Sequence, residues 1–414
     1  MKRKLLRQIA NEWRGNIWLA LELLIVSVVM WYIIDCLFVS YSTYNEPRGF
    51  DTEHCYLIKF DNLSERSADY REYTSYEDYS NDLLSLFDRI GARPEVEAIG
   101  MGVNSYFYNG SNSNTILSTD TFTINLTRRM VSPEFPLVFH IEGANGESPT
   151  RLYEILRDQP DALLCSDNFM EKYGYQSGSD FIGRQFGNWA DNDSLTLKAT
   201  FKTARYNDFV TAHHSQSMMR SVSRDQYARF FNEMFVRVKE NMDHDFIAGI
   251  MADATQKLRS GNWYISNVQS FDDIRAMHQQ GNYTSTRNRY VVMIFLAVNI
   301  FLGLLGTFWF RTRTRIPEIA IRKANGATRA DIFRRVMGEG ELLLIVVTPV
   351  AAVIDWLIAH FEYNTYYDGY TDPTRFAFCV AATFALMSVM IVAGTAIPAW
   401  RAMRLQPALA LKEE

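Results

Sequence analysis

Four apolar runs of roughly 20 residues interrupt an otherwise polar chain of 414 residues. They fall at 17–40, 290–310, 342–360 and 376–400, and none contains Lys or Arg. A run of that length crosses the hydrocarbon layer of a bilayer as a helix, so four membrane spans are predicted. Between the first two, residues 41–288 change to short mixed periods. CYLIKF at 55–60 reads as a strand, and YEDYSNDLLSLFDRIG as a helix with Leu83, Leu84, Phe87 and Ile90 on one face. EVEAIGMGV then alternates like a half-buried strand. The same order returns in MFVRVKE, in DHDFIAGIMADATQKLRSG with Phe246, Ile250, Ala254 and Leu258 on one face, and in NWYISNVQS. Two such β-α-β passages, about 50–104 and 232–275, are the parts of a split-βαβ, ferredoxin-like layer. The insertion between them, about 105–231, reads as strand-rich, with TILSTDTFTINL, FPLVFHIEG and SLTLKATFKTA extended. The predicted fold class is therefore a membrane protein of four transmembrane helices carrying an α+β domain.

Charge orients this arrangement. Residues 1–16, 311–341 and 401–414 hold 16 of the 42 Lys and Arg, whereas the remaining 26 share the rest of the chain with 37 acidic residues outside the spans. Short flanking segments rich in Lys and Arg stay in the cytoplasm, which puts both termini inside and 41–288 outside. The first run is too long for a signal-peptide core and lacks a small-x-small cleavage site, so it reads as an uncleaved signal anchor. The net charge of −5 is an acidic exterior offset by a basic interior and implies no nucleic-acid partner. The mean hydropathy of −0.15 conceals the membrane segments, because the apolar residues are concentrated. Glu22 and Asp35 lie in the first run, where helix–helix packing or an interfacial position accounts for them. Cys36 and Cys379 belong to spans. Cys55 and Cys165 lie outside, where oxidation is permitted, but more than 100 positions of separation do not prescribe a pair.

The basic loop at 311–341 has an internal grammar of two short helices around a break. Pro317 suits the first turn of one helix and Gly326 its C-terminal end. Thr328 suits the N-cap of the next, with Asp331 three residues on completing a capping-box-like pair. The residues Glu318 to Thr328, EIAIRKANGAT, resemble the E-I-G-I-R-K-A-x-G-A-T signature of FtsX/MacB-type ABC transporter permeases. Asn325 sits where that family varies, and Ala320 replaces its usual Gly. The order of one span, a large external domain and three further spans is similar too. The tail PAWRAMRLQPALALKEE resembles the family ending at Arg401, Arg404, Pro407, Ala408, Ala410 and Leu411, although an interfacial helix anchored by Trp400 would read the same way.

The resemblance implies a permease subunit without a catalytic site of its own. Pro317, Glu318, Ile319, Ile321, Arg322, Lys323, Gly326, Ala327 and Thr328 would couple it to a separate ABC ATPase subunit, which would hold the ATP and Mg. It implies a second copy or a related permease in a dimer, contact with membrane lipid, and a periplasmic adaptor or substrate protein. The expected location is the bacterial inner membrane, with the large domain in the periplasm. The expected segments are 1–16 cytoplasmic, spans at 17–40, 289–310, 342–360 and 376–400, an external domain at 41–288, a coupling loop at 311–341, a short external loop at 361–375 and a tail at 401–414. Residues 41–50 and the run NYTSTRNRY would form a stalk that moves the outer domain whenever a membrane helix tilts.

The chain has no G-x-x-x-x-G-K-[ST] loop, H-E-x-x-H, C-x-x-C or G-x-S-x-G, which argues against a nucleotide hydrolase, a zincin or a serine hydrolase. Ser166-Asp167-Asn168 spells a β-lactamase triplet but lacks its companion motifs. His213 and His214 are adjacent, and neighbouring histidines need further ligands to hold a metal. An anchored external sensor is the competing reading, weakened by the lack of a recognisable cytoplasmic output domain.

Overall fold

The computed structural model describes residues 13–110, 113–254, 256–314, 316–364 and 372–404. The chain divides into two units, Met1–Ser42 with Thr284–Glu414, and Thr43–Tyr283. In chain order, the α+β unit follows helix α1 (Trp13–Asn45) with β1 (Cys55–Asn62), α2 (Tyr76–Gly91), β2 (Val96–Val103), β3 (Ser113–Ser118) and β4 (Thr123–Val131). Helix α3 (Pro149–Asp158), β5 (Ala162–Ser166), β6 (Gln185–Asn188), β7 (Asp193–Phe201) and β8 (Ser217–Ser221) come next. Then come β9 (Glu233–Val238), α4 (Phe246–Asp253) and β10 (Trp263–Ser270). The helical unit is built from α1, α5 (Phe271–Thr314), α6 (Ile316–Ala324), α7 (Arg329–His360) and α8 (Pro373–Arg404).

All ten strands join one sheet in the order β10-β1-β9-β2-β4-β3-β6-β7-β5-β8, and β4 also pairs with β8. The first four strands are antiparallel neighbours. The other six, from β4 round to β8 and back, close into a ring. The ring is filled by an apolar core of its own, including Leu117, Leu126, Cys165, Phe169, Phe186, Leu197 and Met218.

The four-stranded part is covered on both faces. Helix α2 starts because the Ser75 hydroxyl accepts from the Asp78 amide at 3.1 Å, and Glu77 and Asp78 suit its first turn. It buries Leu83, Leu86, Phe87 and Ile90, while the expected Leu84 is half-buried against the same cluster, so Leu86 adds to the predicted face. These side chains meet Phe246, Ile250, Ala254 and Leu258 over one side of the strands. The opposite side carries Leu57 and Phe235 into a phenylalanine-rich cluster with Phe107, Phe135, Phe139 and Phe271. Burial on both faces explains why β9 is buried along its whole length. Arg237 can sit in it because its guanidinium donates to Val138, Glu53 and Asp51 carbonyls at 2.6, 3.1 and 3.0 Å.

One expectation is corrected. FPLVFHIEG is not extended: Phe135–Val138 forms a single helical turn, with Pro136 in its first positions and three of its four residues buried. A Pro favours a helix start and contributes no strand donor. In ALLCSDNFMEKYGYQ, β5 leads into a 3₁₀ helix, Asp167–Tyr173, which ends at Gly174 with φ +83. Cys55 and Cys165 are free and buried in separate cores.

In the other unit, α1, α5, α7 and α8 are each long and apolar enough to cross a membrane. Several polar side chains in them are paired across helices. Thr307 donates to Glu22 at 2.9 Å, and Ser388 to Glu341 at 3.0 Å. Asp35, 1% exposed, takes two bonds from Arg375 at 2.8 and 2.6 Å and one from Asn364 at 2.6 Å. Helix α7 contains Pro349, and Thr348 bonds back to the Leu344 carbonyl at 2.7 Å.

Candidate functional site

The basic stretch resolves into α6, a four-residue link and the first turns of α7. Helix α6 has Pro317 in its first turn, Glu318 beside it, and Arg322 and Lys323 in its last turn, an order that complements the helix dipole. Glu318 is paired within the helix: Arg322 reaches its Oε1 through Nε at 3.0 Å and Nη2 at 2.5 Å. The two isoleucines diverge. Ile319 is buried and packs with Ile332 and Ala327, whereas Ile321 is 53% exposed. Residues two apart on a helix point in different directions, so this split follows from spacing alone.

The end of α6 is a double cap. The Ala327 amide donates to the Arg322 carbonyl and the Gly326 amide to the Lys323 carbonyl, both at 3.1 Å, with Gly326 at φ +90. That is the Schellman arrangement, and Ala327 packs against the cluster of Ile319 and Ile332. The chain then turns directly into α7. Thr328 accepts from the Asp331 amide at 3.2 Å, and Asp331 accepts from the Thr328 amide at 3.2 Å, which closes the capping box. The second helix is not short, as the sequence pattern suggested. It runs unbroken from Arg329 to His360, because no residue between the box and the apolar run stops it. The result is a ridge: Ile321 exposed, with the Glu318–Arg322 pair half-exposed beside it, on a helix pinned by Ile319 and capped at its C-terminal end.

The remaining candidates have structural roles. His213 pairs with Glu171 at 3.0 Å, and among the described residues no group of three or more His, Cys, Asp and Glu is arranged to hold a metal. In the Ser166-Asp167-Asn168 triplet, Asp167 accepts from Ser177 at 2.8 Å and Asn168 donates to the Ala212 carbonyl at 2.7 Å, so both side chains fix local turns. The tail positions Pro407, Ala408, Ala410 and Leu411 lie outside the described residues, as do the side chains of Arg401 and Arg404. Sequence reasoning noticed Asp35 but not its partner Arg375, which is 340 positions away in a segment expected to be loop.

Residues 290–407 match the FtsX-like permease C-terminal family, a span that includes the whole ridge. The macrolide export ATP-binding/permease protein MacB of Escherichia coli is 24% identical over 183 residues, 43% of this chain and 27% of that protein. MacB 2 of Escherichia coli O1:K1 / APEC aligns with the same identity and coverage. The chain therefore spans little more than a quarter of the length of these curated relatives. Among solved structures, the extracellular domain of the noncanonic ABC-type transporter YknZ from Gram-positive bacteria aligns with a TM-score of 0.31 and 9% identity. That alignment covers 51% of this chain and 100% of that domain.

Proposed function

We propose that this chain is an FtsX/MacB-like permease that couples ATP hydrolysis on a separate ABC ATPase subunit to movement of its own α+β domain, in export or mechanical transmission across the membrane. The observation that carries the proposal is the ridge at α6. A helix held at one end by a Schellman turn and on its inner side by Ile319 presents a fixed apolar side chain, Ile321, beside a charged pair. A solvated basic loop that only coats lipid has no need of such fixed geometry.

On this reading α6 seats in the ATPase, ATP and Mg stay on that subunit, and two permease chains, identical or related, form the transporter. The helical unit crosses the inner membrane with its uncovered apolar faces toward lipid or the second chain. The Lys and Arg bias keeps α6 cytoplasmic and the α+β domain on the periplasmic side. We read the strands β10-β1-β9-β2 with α2 and α4 as a split-βαβ, ferredoxin-like layer, since the two helices cover one face and the strand order interleaves the two β-α-β passages. A periplasmic adaptor or cargo protein would bind on that side. Co-purification with an ATPase subunit from the native membrane, followed by ATPase assay with and without this chain, tests the proposal. An ATPase that neither binds this chain nor changes its turnover in its presence would overturn it.

A further inference from the structure

One loop of the α+β unit holds both helix ends that enter it. Helix α1 ends at Asn45 and α5 begins at Phe271, and residues 43–45 and 271–283 belong to the α+β unit. Between β7 and β8, residues 202–216 run past both. Arg205, fully buried, donates to the Glu46 carbonyl at 2.7 Å, just beyond α1, and to the Asp208 and Val210 carbonyls at 2.8 Å. The Glu46 carboxylate returns the contact by accepting from the Ala212 amide at 3.2 Å. Gly49 passes so close that a Cβ there would stand 2.1 Å from the Thr203 carbonyl oxygen.

The same loop grips α5. Asp208, 2% exposed, accepts from Arg275 through Nε at 2.8 Å and Nη2 at 2.5 Å, and from the Tyr108 hydroxyl at 3.0 Å. Phe209 stands between the helices, 6.0 Å from the Tyr44 ring and 5.1 Å from that of Tyr283, whose hydroxyls approach each other at 3.4 Å. A buried carboxylate accepting a two-pronged guanidinium bond is a geometrically specific fastening, and tilted aromatic contacts add to it.

We propose that this loop, through Arg205, Asp208 and Phe209, is the clasp through which a change in spacing or tilt of α1 and α5 is carried into the six-stranded ring. The role rests on the reading of the chain as a force-transmitting permease, while the fastening itself does not. The loop grows from β7 and β8, two strands of the closed ring, so a displacement of Glu46 or Arg275 is passed to a body that has little freedom to absorb it.

The test uses the full chain in detergent, with spin labels at exposed Gln280 on α5 and Asp120 in the β3–β4 turn. The unsubstituted chain should give one narrow distance peak. Phe209→Ala and Arg275→Gln should each broaden it while the chain stays monodisperse, and Phe209→Tyr should restore it. A narrow peak in both loss variants overturns the clasp. A second arm adds the ATPase subunit and a trapped nucleotide. Unchanged ATPase stimulation in Phe209→Ala, together with loss of the nucleotide-driven shift in the peak, supports the clasp as the transmitting element. An equal shift in the variant overturns that role. If even the unsubstituted chain shows no shift while its narrow peak still depends on Phe209, the transmission reading fails and the fastening stands.

Discussion

At the scale of single residues, Gly326 and Glu318 separate docking from mere basicity. A Cβ at Gly326 meets nothing within 4 Å, so only its φ of +90 opposes a side chain. A β-branched residue there costs about 1–2 kcal/mol through the left-handed backbone. Gly326→Val should therefore lose ATPase stimulation and pull-down of the ATPase while the protein still inserts, and Gly326→Asn should retain more of both. Glu318→Arg sets two cations four apart and one of them at a helix start. A half-exposed pair of this kind contributes below about 1 kcal/mol, so α6 should persist and the lost binding would report on docking itself. Arg313→Lys, outside the motif, should be silent; wild-type stimulation in both motif variants would sink the docking assignment.

A second residue-scale prediction concerns His54, which adopts φ +56 and bonds through Nδ1 to Asp243 at 2.7 Å, with the Tyr56 hydroxyl on the same carboxylate. The hydrogen bond to Asp243 raises the imidazole above its usual 6.5; desolvation opposes it, and Asp243, Glu240 and Glu53 add to the rise through their charge. A raised folded value means that the stabilisation is complete below pH 6.5 and is lost as pH climbs through the higher value. Melting of the full chain at about pH 6 and about pH 8 should show that loss. His54→Asn, which tolerates positive φ, should flatten it; equal slopes in the two proteins would refute the assignment.

At the scale of elements, what the sequence made legible was what local chemistry decides. The cap at Thr328, the positive φ at Gly326 and the divergence of Ile319 and Ile321 depend on neighbours within a few positions, and each is found as expected. The full burial of Leu86 and the helical turn at Phe135–Val138 depend on a second layer covering the sheet, which no short window reveals. The proposed coupling role of α6 is legible only through resemblance, because nothing in the geometry of one chain names its partner. The pairing of Asp35 with Arg375 shows the same limit, since α8 begins at Pro373 and brings into the helix an Arg expected in a loop. Arg375→Met leaves a buried carboxylate unpaired and should cost about 3–5 kcal/mol. Combining it with Asp35→Asn should recover much of that in detergent melting curves, and a double variant no more stable than Arg375→Met would refute the pairing account.

At the scale of the whole molecule, sidedness is open to direct test. On a cysteine-free background, a single cysteine at Ser113 should react with an impermeant thiol reagent in intact cells, and one at Ala330 should not. Labelling at Ala330 would overturn the orientation. The matching position at Thr371 lies outside the described residues. Residues 43–283 expressed alone should give a soluble α+β domain, since three apolar cores close within that range. An all-β or molten product by circular dichroism and amide exchange would contradict it.

The closed ring also decides where another chain can join this sheet. Among the described residues every strand but one has neighbours on both sides, because the pairing of β4 with β8 removes the edge that the ring would otherwise expose. Only β10, Trp263–Ser270, has a single partner. An unpaired strand edge is a template for strand addition and for misassembly alike. For a peptide or a second domain that binds by extending the sheet, β10 is the strand with a whole edge open, directly ahead of the helix that starts at Phe271, and amide exchange should be fast there.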